Sequence, residues 1–292
     1  MKNKLLLIIA AIFIMVTLSG CSNNKDENKE MTAYTSVYPV EYILDNLYGD
    51  EIEIYSIYPD GTNYKNYELT NKQIQDYSNA ELFVYNGTIQ KEKDYAVELL
   101  NENKNLKIID ASQGMNYTND VSENWLNPSN YLMMASNIKN GLEEYINERI
   151  EIDKINENYE NLKFELTELD AELSEAASSS DNPTIIVSDD TFKYLEKYGF
   201  TVISLEENNN LTEKVLTEAK RLISNGTCDY IFLKDDEEEN ETIKKLKNSY
   251  SNIQTVSLNT ISTLSATQRK DKIDYMSIMQ DNINSIKLEV ND

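Results

Sequence analysis

The chain has 292 residues, 40% of them apolar, and a formal net charge of −24. This length is sufficient for one or two packed domains, and the strong negative charge argues against nucleic acid or an anionic membrane surface as a partner. The sequence contains no histidine, so an enzyme would need a perturbed Glu, Asp or Lys as its base.

The first twenty residues differ in composition from the rest of the chain. Two lysines precede an uninterrupted apolar run at 5–16, which is short for a membrane span and typical of a secretory signal. The following "LSGC" resembles a bacterial lipobox, which implies cleavage before Cys21 and lipid attachment to it. The alternative is an uncleaved anchor helix with a coincidental cysteine. We interpret 1–20 as a lipoprotein signal peptide and the polar, charged segment 21–30 as a flexible tether.

Strand-like and helix-like patterns alternate after the tether. The stretch "EIEIYSIY" has a period of two, which indicates a strand, and Thr70 stands at the N-cap position of a helix. The alternation predicts a parallel α/β lobe over 31–150. Strands are expected at 31–36, 51–58, 82–85 and 106–110, and helices at 39–47, 70–78 and 94–101.

Long helices replace this alternation in the middle of the chain. Asn127 and Pro128 are an N-cap and a proline at the first helical position. In the next helix, 151–180, apolar residues from Ile155 to Leu173 recur at spacings of four and three, which gives one narrow apolar stripe. We expect this helix to link two lobes and to pack across both as a strut.

Beyond the break "ASSSDNP" the α/β alternation resumes and predicts a second lobe over 181–292. The fold class is therefore α/β with two lobes, each a mostly parallel sheet flanked by helices, joined by a long helical strut. Such sheets bind ligands at the carboxyl ends of their strands, so a cleft between the lobes is expected. Strands are expected at 184–188, 201–204, 230–233 and 254–257, and helices at 191–198, 212–224, 239–247 and 271–286.

Several short stretches carry a resemblance to a known family. "GTNYKNYELT" resembles the Gly-x-x-Pro-His-x-Tyr-Glu-Pro-Thr loop of the zinc- and manganese-binding lipoproteins, the metal receptors of ABC importers that are also described as adhesins. "ENWLNPSNY" resembles their His-x-Trp-Leu-(Asp/Asn)-Pro segment, and "IIVSDDTFKYLEKYGF" and "YMSIMQDNINSI" resemble later segments in the same order. The resemblance covers nearly all of the chain after the tether.

The resemblance also shows which residues stand at the four metal-ligand positions of that family. The family has two histidines, then histidine or glutamate, then aspartate. In this chain the four positions fall on Lys65, Glu123, Asp189 and Asn259. Only Glu123 and Asp189 keep a charge type that binds metal.

Four further residues are expected to support the cleft: Tyr67, Glu68, Trp125 and Asp190. The resemblance implies that Glu68 holds its loop by accepting hydrogen bonds from backbone donors. Trp125 is expected to pack at the lobe boundary, with ligand stacking as the alternative role. Tyr67 either packs with its hydroxyl in water or contacts an organic ligand.

Lys65 is the substitution with the largest chemical consequence. An ammonium group only donates hydrogen bonds, and in a partly desolvated cleft it repels a divalent ion by on the order of a few kcal/mol. We therefore predict that Lys65 takes the former metal position and offsets Glu123 and Asp189. Two alternatives stay open: Lys65 reaches into solvent beside an eroded, water-filled cleft, or it turns away from an oxygen-only metal site.

The bound cofactor is then either a divalent cation or none. The resemblance implies zinc or manganese, whereas the oxygens of Glu123, Asp189 and Asn259 suit a harder cation such as manganese, magnesium or calcium.

The sequence predicts a solute-binding receptor and not an enzyme. It would be extracytoplasmic and monomeric, would touch the membrane only through its lipid anchor, and would deliver solute to the permease and ATPase of an ABC importer. The alternative is a non-transporting surface interaction protein or adhesin on the same fold, with Lys65 in the former metal position.

Overall fold

The computed structural model describes residues 31–115, 123–235 and 237–290. The predicted signal peptide, the tether and the lipidation site at Cys21 lie outside these residues. Residues from Met31 onward form one compact unit. In the part of the chain that is described, no helix has both the length and the apolar character needed to cross a membrane.

The first lobe is built on a four-stranded parallel sheet with the strand order β2-β1-β3-β4. The predicted N-cap Thr70 begins the second helix through a capping box, in which Thr70 and Gln73 exchange side-chain-to-backbone hydrogen bonds. The strands are β1 (Met31–Thr35), β2 (Ile52–Ser56), β3 (Leu82–Tyr85) and β4 (Lys107–Asp110). The helices are α1 (Tyr38–Tyr48), α2 (Asn71–Tyr77) and α3 (Gln90–Glu102).

Two long helices follow, α4 (Pro128–Tyr145) and α5 (Arg149–Ser178). Asn127 caps α4 by accepting a hydrogen bond from the backbone of Ser129. Helix α5 has 30 residues, and is therefore about 45 Å long. It packs against α1, α4 and the last helix of the chain. Its buried stripe consists of Ile155, Leu162, Leu166, Leu169 and Leu173.

The second lobe repeats the topology of the first, with a parallel sheet in the order β6-β5-β7-β8. The predicted fold class is confirmed: two parallel α/β lobes are flanked by helices and connected by α5. The strands are β5 (Thr184–Val187), β6 (Thr201–Ser204), β7 (Tyr230–Lys234) and β8 (Gln254–Leu258). The helices are the 3₁₀ helix Asp190–Tyr198, α6 (Glu213–Ser224), α7 (Glu241–Ser249), α8 (Ala266–Lys270) and α9 (Tyr275–Val290).

The end of the chain differs from the single helix predicted at 271–286. The short helix α8 comes first and begins with a capping box between Ser265 and Gln268, a Ser-x-x-Gln signature that the prediction overlooked. Helix α9 starts only at Tyr275, because Lys272 adopts a positive φ of 56° and the Asp274 carboxylate accepts from the backbone of Ser277.

The chain crosses from the second lobe to the first directly after β8. The backbone of Ser262 accepts from Tyr38, and Leu264 accepts from Gly61. Between them and the sheet, the buried Ile261 has a φ of 59°, which is strained for a β-branched residue. This crossing and helix α5 place the carboxyl ends of the two sheets close to each other.

Candidate functional site

The second lobe contributes two charged side chains at the ends of its central strands. Asp189 lies two residues beyond β5, and Lys234 is the last residue of β7. Strands β5 and β7 are neighbours, but their following connections run to β6 and β8 on opposite edges of the sheet. Where the connections of two neighbouring strands diverge in this way, a crevice remains at the carboxyl ends of the strands, and ligands bind there in open α/β sheets.

The segment "ENWLN" connects the two lobes and carries Glu123. Glu123 directly precedes the 3₁₀ turn Asn124–Leu126. The Asn124 side chain accepts from the amide of Asn86 in the first lobe. The Trp125 indole donates to the carbonyl of Thr260 in the second, at 2.7 Å. Because the two residues that follow Glu123 are held by one lobe each, Glu123 lies at the boundary between the lobes.

Lys65 is held at the same boundary by its own loop. It lies in the 3₁₀ turn Tyr64–Asn66, where the Asn63 side chain accepts from the Lys65 backbone at 2.9 Å. The ammonium group of Lys91 on α3 donates to the carbonyl oxygens of Lys65 at 3.0 Å and Tyr67 at 3.1 Å. These bonds fix the loop around Lys65, which is part of the stretch "GTNYKNYELT".

Five charged side chains meet between the lobes, and we call them the interlobe cluster: Lys65, Glu123, Asp189, Lys234 and Glu237. The Oε1 atom of Glu123 lies 2.9 Å from Lys65 Nζ and 3.2 Å from Lys234 Nζ. Lys234 Nζ also lies 3.5 Å from Asp189 Oδ2 and 3.2 Å from Glu237 Oε1. Glu237 Oε1 is 4.0 Å from Lys65 Nζ.

The interlobe cluster is buried at its centre and open at one side. The side chains of Glu123 and Lys234 are each 2% exposed, whereas those of Lys65 and Glu237 are 37% and 48% exposed. Two ammonium groups face three carboxylates, so each buried charge has an opposite charge in contact. Burial without such a partner would be strongly unfavourable.

Lys234 remains charged although it is buried. Burial opposes its ammonium form, but attraction from Glu123 and Asp189 is stronger in sum, and the pKa of Lys234 is raised above its ordinary value. The hydroxyl of Tyr64 adds a polar contact at 3.4 Å from Glu123 Oε1. One carboxylate oxygen is therefore surrounded by two ammonium groups and a phenol.

Of the four predicted ligand positions, the structure brings three together. Lys65 contacts Glu123 directly, and Lys234 connects Glu123 to Asp189. The described hydrogen bonds of Asn259 instead go to Asn282 and to the backbone of Ile261. Asn259 therefore stabilises the segment that crosses between the lobes, and its side-chain oxygen accepts a hydrogen bond from the backbone of Ile261.

The supporting residues have mixed roles. Trp125 is fully buried at the lobe boundary, and its backbone oxygen accepts from the Tyr275 hydroxyl at 2.6 Å. The Tyr67 hydroxyl accepts a hydrogen bond from the Gln73 side chain, and its ring makes an edge-to-face contact with that of Tyr58. Glu68 accepts from the Lys91 ammonium and the Tyr95 hydroxyl. Its described partners are side chains, whereas the resemblance implied backbone donors.

Asp190 points to a different neighbourhood from Asp189. Its carboxylate pairs with Lys193 at 2.8 Å and accepts from Asn208, and its backbone donates to Glu206. These contacts fasten the start of the 3₁₀ helix to the loop after β6. The adjacent Asp189 is the one whose carboxylate joins the interlobe cluster.

Sequence reasoning missed Lys234 and Glu237. The run "KDDEEENE" reads as a solvated loop, yet Lys234 is 3% exposed and completes β7. A usable signal was present, because Lys234 directly follows the predicted strand 230–233 and strand ends line the cleft of this fold class. Glu237 gave no such signal, since acidic neighbours on both sides make it look like any exposed carboxylate.

The residues of the interlobe cluster do not fit a transition-metal ion. Both protein carboxylates that the sequence proposed as metal ligands are paired with ammonium groups, which have no lone pair to offer. The preferred zinc ligands, imidazole and thiolate, are not among the cluster's five side chains. Over the described residues, no group of three or more Asp, Glu, Cys or His side chains is arranged to hold a metal.

Comparisons with known proteins place this geometry in a family. Residues 34–288 match the family model described as ZnuA, zinc-uptake complex component A, periplasmic. The metal ABC transporter substrate-binding lipoprotein SsaB of Streptococcus sanguinis is 29% identical over 246 residues, 76% of this chain and 77% of that protein. The manganese ABC transporter substrate-binding lipoprotein PsaA of Streptococcus pneumoniae is 26% identical over 238 residues, 76% of each chain.

Solved structures show the same fold. The metal-dependent lipoprotein YcdH from Bacillus subtilis superimposes with a TM-score of 0.75 at 19% identity, over 89% of this chain and 99% of that one. The Zn(II)-bound ZnuA-like domain of Streptococcus pneumoniae AdcA gives a TM-score of 0.72 at 21% identity, over 90% and 100%. The family match over residues 34–288 shows that the chain belongs to the ZnuA family, whose members are substrate-binding receptors and not enzymes.

Proposed function

We propose that the chain is a lipid-anchored, extracytoplasmic receptor that delivers a solute to an ABC permease and its ATPase, and that its cleft holds an internal lysine–carboxylate cluster in place of a transition-metal ion. The lipobox at Cys21 and the lipoprotein relatives support the anchor. The two-lobed fold supports the receptor role.

One observation carries the proposal: two ammonium groups, one from each lobe, contact the same buried oxygen of Glu123 at 2.9 and 3.2 Å. In a receptor that encloses a metal ion, a positive charge at this point would balance the carboxylates of the cleft. Here Lys65 and Lys234 balance them. A divalent ion would have to displace both ammonium groups, at a cost of on the order of several kcal/mol in a partly desolvated site.

The proposal is tested by titrating zinc, manganese and calcium chloride into the protein purified from membranes in detergent. We expect no saturable binding in the calorimeter and no rise in melting temperature, since a ligand that binds only the folded state would stabilise it. The matched control is the double variant Lys65→Ala with Lys234→Ala, which removes both ammonium groups from the carboxylates of Glu123, Asp189 and Glu237.

The control variant should gain affinity for manganese or calcium, because an oxygen-only set suits hard cations. Stoichiometric, tight binding of zinc or manganese to the unaltered protein, with no gain in the variant, would show that the lysines leave the cleft and that the proposal is wrong.

A further inference from the structure

The two lysines of the interlobe cluster are bridged twice. Glu123 Oε1 bridges them from inside, at 2.9 Å from Lys65 and 3.2 Å from Lys234. Glu237 Oε1 bridges them from the open side, at 4.0 and 3.2 Å. Because Glu123 is 2% exposed and Glu237 is 48% exposed, the first bridge is part of the core and the second borders solvent.

Glu237 is also the most exposed member of the cluster. It lies in the connection between β7 and α7, and its backbone makes a 3.3 Å hydrogen bond to Lys234. Its carboxylate is 48% exposed, so water competes with the two lysines for it, and the pair contributes less than a fully buried one. A carboxylate from another molecule can therefore replace that of Glu237 with small loss.

The charge balance shows what kind of group fits. Without Glu237, the two ammonium groups of Lys65 and Lys234 balance the two carboxylates of Glu123 and Asp189. A monoanionic carboxylate restores the present balance of charges. A more highly charged anion such as phosphate would meet the repulsion of Glu123 and Asp189 at short range.

We propose that Lys65 and Lys234 form a binding site for the carboxylate of a small organic solute, and that Glu237 occupies this carboxylate site when the solute is absent. The inference rests on the proposed function, because a metal ion in the cleft would remove both ammonium groups from this position. Since Lys65 belongs to the first lobe and Lys234 to the second, one carboxylate in this site contacts both lobes.

The test is chemical rescue of a Glu237→Ala variant with propionate, which has the same carboxylate end as the deleted side chain. Calorimetric titration and melting curves are measured on protein purified from membranes in detergent. We expect the variant to bind propionate several-fold more tightly than the unaltered protein, because the internal competitor is gone. Uncharged propionamide should have no effect on either protein.

Two further variants provide controls. Glu238→Ala removes the neighbouring exposed carboxylate and should bind propionate no better than the unaltered protein. Adding Lys65→Met to Glu237→Ala should abolish the gain. Glu237→Ser, which also removes the carboxylate and leaves its position open, replaces Glu237→Ala should the latter fail to fold.

The inference is overturned by equal propionate binding in the Glu237 and Glu238 variants, or by no binding in the Glu237 variants. Either result leaves the proposed function intact as long as the unaltered protein ignores zinc and manganese. Metal binding by the unaltered protein would instead refute the proposed function and the inference with it.

Discussion

The replacement Lys234→Met tests the energetic role of the buried ammonium group. Methionine fills a similar volume without charge, so the variant removes the ammonium group that contacts both Glu123 and Asp189, while Lys65 remains beside Glu123. Removing one partner of a buried ion pair costs about 3–5 kcal/mol, a large share of the about 5–15 kcal/mol that stabilises a folded domain. For a chain of this size we expect the melting temperature to fall by about 5–8 °C.

Thermal unfolding by circular dichroism at neutral pH measures this fall, and Lys65→Met is the matched control. Lys65 is 37% exposed, so its removal should cost about 1 kcal/mol or less. The pKa of Lys234 is higher in the folded state than its ordinary value. The contribution of its ammonium group to the free energy of unfolding is therefore complete below that ordinary value, and it declines only as the pH rises through the folded-state pKa. The difference between the unaltered protein and Lys234→Met should therefore stay constant around neutral pH.

A double-mutant cycle with Glu123→Gln separates the pair from its surroundings. Glu123 and Lys234 are in direct contact. The double variant should therefore lose less unfolding free energy than the two single variants lose in sum. An unchanged melting temperature for Lys234→Met, or strict additivity in the cycle, would refute the view that this lysine neutralises the cleft.

Three further changes have defined outcomes. Burial raises the pKa of Glu92 to about 8, so between the unfolded and folded pKa values the folded state holds a proton that the unfolded state has released. The free energy of unfolding is therefore highest at low pH and falls as the pH rises to about 8. In denaturant titrations, the stability advantage over Glu92→Gln should shrink between about pH 5 and about pH 9. Trp125→Phe removes the hydrogen bond to Thr260 between the lobes and should cost about 1–3 kcal/mol of unfolding free energy, because a buried carbonyl loses its donor; no loss would contradict this. Lys91→Met releases two carbonyl oxygens of the Lys65 loop and should speed amide hydrogen exchange there, with α5 unaffected as the internal reference.

The fold could be predicted because local patterns and packing agree in this chain. The stripe from Ile155 to Leu173 defines α5, and it is buried as its spacing requires. The strands 82–85 and 201–204 are found at the predicted residues. The end of the chain was predicted less well: the Ser-x-x-Gln start of α8 was overlooked, and the positive φ of Lys272, which separates α8 from α9, leaves no signature in the sequence.

The site was predicted only where the residues stand in motifs. The pairing of Lys65 with Glu123 follows from the order of two recognisable segments, although the distance of 2.9 Å needed the structure. Lys234 stands in an acidic run, and whether such a lysine is buried depends on the length of β7 and on which strand is central. These are tertiary properties, so composition alone assigned Lys234 to a solvated loop.

We propose that ammonium groups, and not a metal ion, occupy the middle of the cleft. The most direct test is a crystal structure of the protein grown with excess zinc and manganese, with anomalous diffraction collected at both metal edges. We predict no anomalous peak between Glu123 and Asp189, and Lys234 Nζ in contact with both carboxylates. A strong peak at that point, with Lys65 and Lys234 turned away, would contradict the account.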